Sequence, residues 1–285
     1  MRINIFFVLI ILIFNLEAKS FFSNDEQADS SIYIGGLKNL IIATQKTRGL
    51  TNSYLNGNVV AMLLVYTNRS NMKEAIGTME SLPLAADPVI NNRATTISQS
   101  LIKLNNKAFK LKPNDAFSQY TEQIEQILML AQTISKRSAK DSNQFGQEIS
   151  SIMMETMLPM TEYVGQLRGF GSGLAAKKTA NKNELEKTLV LSTKIQNLNT
   201  KLQIQMQELI SKYSKNFSST IKTELLNINK STNSYILFTQ SNFKNQLENV
   251  NPNTYFDNGT NIITSIIKAY DTNNIALLDD SKGWF

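Results

Sequence analysis

Apolar side chains recur every three or four residues along nearly the whole chain after residue 30, and this spacing predicts eight helices. The first covers about residues 32–54 and ends in the turn Asn56-Gly57-Asn58. The second begins near Val59 and ends near Leu82-Pro83, and Asp87-Pro88 then signals a new start, with Asp as cap and Pro in the first turn. The third helix has Ile97, Leu101, Leu104, Ala108 and Leu111 on one seam; Lys112-Pro113-Asn114 breaks it. The fourth has Phe117, Tyr120, Ile124, Ile127, Ala131 and Ile134 on its seam. A polar connection, Ser135 to Asn143, follows. The fifth helix carries Met153, Met157, Met160, Val164 and Leu167 and runs on to Lys178; Pro159 inside it predicts a kink or a boundary. The sixth is seamed by Leu191, Ile195, Leu198, Leu202 and Leu209, the seventh by Ile221, Leu225, Ile228 and Tyr235. Asn251-Pro252 opens the last, with Phe256, Thr260, Ile263, Ile267, Tyr270 and Leu277 in line.

Long helices with short connections predict an all-α fold of two four-helix bundles packed against each other, over residues 31–138 and 139–285. Ahead of them, Met1-Arg2, the apolar run Ile5 to Phe14 and Ala18 read as a signal peptide over residues 1–18, followed by a flexible polar lead at 19–30. An uncleaved N-terminal tether is the alternative. The chain is therefore expected to be exported and periplasmic.

The net charge of +6 comes from scattered lysines, with no dense basic tract and no interleaved aromatics, so nucleic acid is not an expected partner. The chain has no His and no Cys, which removes imidazole and thiolate metal sites and every His-dependent triad. No motif points to an enzyme, a cofactor or a metal.

Arginine is scarce, six against 23 lysines, yet two arginines are followed at once by glycine inside helical segments: Arg48-Gly49 and Arg168-Gly169. Leu37, Ile41, Thr44, Arg48, Thr51 and Leu55 share one helical face, and Thr161, Val164 and Arg168 share another, so both guanidinium groups are expected to point inward. No acid occurs between Asp29 and Glu74, or between Glu162 and Glu184. A guanidinium cannot escape burial by titrating, so each needs a counter-charge. Two sources are open: a bound anion, or a carboxylate from a distant helix. Likewise Gly49 and Gly169 either make room for a ligand or serve as small contacts at a helix crossing. The planar fork of arginine matches small planar monoanions such as nitrate and nitrite. Thr44, Gln45, Thr51 and Asn52 around the first arginine, and Thr161, Gln166 and Ser172 around the second, could complete the hydrogen bonds.

Three stretches resemble the nitrate- and nitrite-sensing (NIT) domain family. They are Gln45-Lys46-Thr47-Arg48-Gly49-Leu50-Thr51, the run Val164 to Gly173 (VGQLRGFGSG), and Tyr255-Phe256 with Gly259, Thr260 and Ile263. The resemblance spans about residues 35–280 and implies two four-helix bundles with nitrate or nitrite held between them by Arg48 and Arg168. Family members use further arginines, one late in the second half. This chain has none after Arg168, so Lys222 or Lys230 would have to substitute, or the ligand differs. No output module is read after Phe285, so the signal is expected to pass to a separate membrane sensor or chemoreceptor in trans, and a homodimer is left open. Removing Arg48 is expected to abolish anion binding with the fold preserved. The alternative is a helical envelope interaction protein without a small ligand, in which both arginines meet distant acids.

Overall fold

A computed structural model describes the backbone of residues 3–281 and the side chains of residues 27–281. Among these residues the chain is all-helical. The helices are α1 (Ile3–Leu55), α2 (Ala61–Glu80), α3 (Pro88–Lys107), α4 (Pro113–Ser138), α5 (Gln144–Ile152), α6 (Leu158–Lys177), α7 (Lys182–Lys212), α8 (Ile221–Asn245) and α9 (Pro252–Ser281). A π turn, Met153–Met157, joins α5 to α6 without interruption, so these two are one helix in space and the described helices number eight. The turn lies just before Pro159, whose ring has no N–H to donate and crowds the carbonyl four residues earlier; a widened turn relieves that clash. The kink or boundary expected at Pro159 corresponds to this π turn and the start of α6.

Local sequence signals set most boundaries. Asp87 caps α3 by accepting from the Val89 and Ile90 amides, and Pro88 follows it. Asn143 caps α5 through the Gly146 amide at 2.8 Å. Asn181 and Glu184 form a reciprocal capping box at the start of α7. Asn251 accepts from the Asn253 and Thr254 amides ahead of α9. Gly57, at φ +108, supplies the turn between α1 and α2 that a side chain would strain. The second helix starts at Ala61 rather than Val59, because Val59 and Val60 complete this turn.

In the first bundle α1 packs on α2 and α4, and α3 closes the bundle against α4. In the second, α6 packs on α7 and α9, and α8 closes it against both. The bundles meet chiefly where α1 lies along α6. Both helices are therefore enclosed on nearly every side, and one hydrophobic core runs through the two bundles. Residues 27–30, expected in a loose lead, are helical, and Ser30 is buried. The signal peptide expected at 1–18 lies outside the residues whose side chains are described.

Candidate functional site

The α1–α6 crossing is built from small residues on both sides. A Cβ added to Gly169 would lie 2.7 Å from the Gly49 Cα, and one added to Gly49 would lie 2.7 Å from the Phe256 ring. Backbone therefore meets backbone at this point. Gly173 makes room for the Asn52 amide and Gly171 for the Tyr255 ring. Asn52 donates through Nδ2 to the Gly169 carbonyl at 2.9 Å, and Ser172 donates to Ser53 and to the Pro252 carbonyl, both at 3.1 Å. Of the two roles open to Gly49 and Gly169, the helix crossing is the one their contacts fill.

The two arginines flank this crossing, and both are buried, at 0% and 1% exposure. Their surroundings differ. Arg48 Nη1 donates to Glu162 Oε1 at 2.5 Å and to Thr121 Oγ1 at 2.9 Å, while Nη2 donates to Glu162 Oε2 at 3.2 Å. Its Cζ lies 4.8 Å from the centre of the Phe117 ring. Glu162 is itself buried and also accepts from Gln45 Nε2 at 3.0 Å and Gln166 Nε2 at 2.8 Å. Arg48 is thus neutralised by a carboxylate from another helix, as one of the two sequence alternatives held.

Among the described residues Arg168 has no such partner. It makes one hydrogen bond there, from Nη1 to Thr260 Oγ1 at 2.9 Å, and its Cζ lies 4.4 Å from the centre of the Phe256 ring. Its Nε and Nη2 are buried with no hydrogen-bond partner among the described residues. These two nitrogens form one edge of the guanidinium, the edge that gives two parallel N–H donors to an oxyanion. Gly259 gives the stem its space: a Cβ there would lie 2.8 Å from Arg168 Cβ and 2.9 Å from the Tyr235 hydroxyl. Burial first, and then the positive charge of Arg48, push the Arg168 pKa down to about 10, so it remains a cation at neutral pH. Burial likewise raises the Tyr235 and Tyr255 phenols, which are neutral donors here.

The third motif stretch falls at the same place. Phe256, Gly259 and Thr260 on α9 line Arg168, and Tyr255 packs against Gly171. The other expected supporting residues are mostly committed elsewhere. Thr44 and Thr161 bond back to the Leu40 and Leu158 carbonyls, each at 2.7 Å. Gln45 and Gln166 serve Glu162. Thr51 is fully buried in the first bundle beside Tyr120. Lys222 and Lys230 are exposed on α8 and add no buried cation.

Two charged participants, Glu162 and Lys187, and the Thr121 hydroxyl escaped the sequence reasoning. Glu162 is six residues before Arg168, outside its helical neighbours, but lies on the face that continues through Gly165 and Gly169 toward α1. That shared face was the available signal. Lys187 on α7 places its ammonium 4.4 Å from the Phe170 ring centre and 5.2 Å from that of Phe117, the ring that Arg48 also contacts. Desolvation against these rings, then the Arg48 charge, hold its pKa below the usual lysine value. Among the described residues no group of three or more His, Cys, Asp or Glu is placed to hold a metal ion.

The chain shares its fold with a solved structure of the NasR transcription antiterminator, at a TM-score of 0.63 and 13% identity, over 96% of this chain and 74% of that one. No curated protein matches it by sequence. The family model for nitrate and nitrite sensing matches residues 39–274, a span that contains both arginines, Glu162 and the α9 motif, and the chain belongs to that family.

Proposed function

We propose that this chain is an exported sensory domain, not an enzyme, that binds nitrate or nitrite between its two bundles. The observation that carries the proposal is Arg168: a fully buried cation with two unpartnered donors on one edge and no acid among the described residues bonded to it. Leaving a buried charge uncompensated is costly, and a bound monoanion offsets that cost. The Nε–Nη2 edge of Arg168 is the principal donor in this account. Arg48, held beside it by Glu162, contributes field rather than a free fork.

The anion sits where α1 and α6 join the bundles, so its binding favours the packing that brings donors around it. It shifts the equilibrium only by its differential affinity for the two packings. The signal then passes to an output partner such as a membrane sensor or chemoreceptor, or across a homodimer. The export reading rests on the sequence of residues 1–18.

Calorimetric titration of the protein with sodium nitrate, nitrite and chloride tests the proposal. The expected result is saturable binding of nitrate or nitrite, absent for chloride and absent in Arg168→Met. Failure of both anions to bind would remove it. One observation favours a second reading, a helical interaction protein without a ligand: Arg48 already meets a distant acid. Under that reading Arg168→Met changes no anion response, because there is none to change.

A further inference from the structure

We infer that Glu162 sets the charge the site accepts, admitting a monovalent anion and rejecting divalent ones; this rests on the proposal that an anion binds at Arg168. Among the described residues the buried charges flanking the crossing are Arg48, Arg168 and Glu162. Their sum is one positive charge. A monoanion brings the buried sum to zero, whereas a dianion leaves an uncompensated negative charge out of water. Shape alone does not make this distinction, since the two-donor edge of an arginine serves nitrate and sulfate alike.

The arrangement around Glu162 keeps its charge in place. Arg48 binds it through two nitrogens, and Gln45 and Gln166 add two further donors without adding charge. Two more groups face the cluster, Lys187 from α7 and Asp257 from α9. Both residues are exposed and opposite in sign, so solvent screens them and their contributions oppose. The carboxylate is therefore a fixed counter-ion that halves the positive charge offered to the ligand.

The test compares the full chain with Glu162→Gln, titrated with sodium nitrate and with sodium sulfate at matched ionic strength. The glutamine keeps the size of the side chain and raises the buried sum by one. Sulfate affinity is expected to rise about 100-fold or more, the effect of removing one negative charge within about 12 Å of a dianion at an effective dielectric of roughly 20. The double variant Arg48→Gln/Glu162→Gln returns the sum to one positive charge and should again take nitrate and refuse sulfate. It also carries the test should Glu162→Gln alone not fold. A folded Glu162→Gln that binds nitrate and still refuses sulfate would overturn the inference. So would a double variant that accepts sulfate as readily as nitrate. Absence of any anion binding in the wild-type chain would instead remove the function on which the inference rests.

Discussion

Arg48-Gly49 and Arg168-Gly169 are two copies of one local pattern, each on the central helix of its bundle, and each arginine is fully buried. The glycines behave alike: each is a contact point of the same helix crossing. The arginines do not. Arg48 has a bidentate carboxylate and a threonine hydroxyl, while Arg168 has a single threonine hydroxyl and an aromatic face. Local sequence thus places a guanidinium in the interior but does not say what neutralises it. The counter-charge of Arg48 is 114 residues away, and only the packing of α1 on α6 brings it in. Among the described residues no carboxylate takes the corresponding place beside Arg168, and the proposed ligand anion would supply that charge.

The largest way to break the comparison is Arg48→Ala. It strands Glu162 in the interior without its cation, and removal of one partner of a buried pair costs about 3–5 kcal/mol. Urea unfolding should show a loss of that size. The sequence alone carries the expectation that the fold is preserved; the pairing of Arg48 with Glu162 adds this expected cost. Next is Gly169→Ala, whose Cβ would meet the Gly49 backbone at 2.7 Å. Backbone cannot rotate away, so the helices must part, at about 1–3 kcal/mol of stability, and the surroundings of Arg168 open with them.

Arg168→Met separates the two copies more sharply. In anion-free buffer it removes an uncompensated cation and replaces it with an apolar chain of similar length. Stability is expected to hold, or to rise by about 1–2 kcal/mol, by the same desolvation argument that makes Arg48→Ala costly. A loss of several kcal/mol on urea unfolding would mean that Arg168 is tied into the fold more firmly than its single hydrogen bond indicates. The smallest effect is expected for Lys187→Met. Its ammonium is partly solvated, so nitrate affinity should fall by less than about fivefold in titration at physiological ionic strength.

Much of the fold was legible in the chain because helices announce themselves locally. Asp87-Pro88, Asn181 with Glu184 and Asn251-Pro252 each mark a start by side-chain chemistry that needs no knowledge of the rest. The seams of apolar residues set which faces meet. The inward direction of Arg48 and Arg168 followed from the same periodicity. What periodicity could not give is the pairing across bundles. Glu162 lies outside the helical neighbourhood of either arginine, Lys187 reaches the site over two phenylalanine rings from α7, and Lys222 and Lys230 turn to solvent. The hydroxyls of Thr44 and Thr161, near the arginines in sequence, are spent on their own helices.

The most direct measurement is thermal unfolding of the protein with nitrate, nitrite, chloride, sulfate and acetate at matched ionic strength, run beside Arg168→Met. A ligand at about 100 times its dissociation constant adds about 2.7 kcal/mol, a rise of roughly 5–10 °C for a chain of this size. That rise is expected with nitrate or nitrite in the wild-type chain, and none in Arg168→Met. No rise with either anion, or a rise that persists without Arg168, would contradict that expectation.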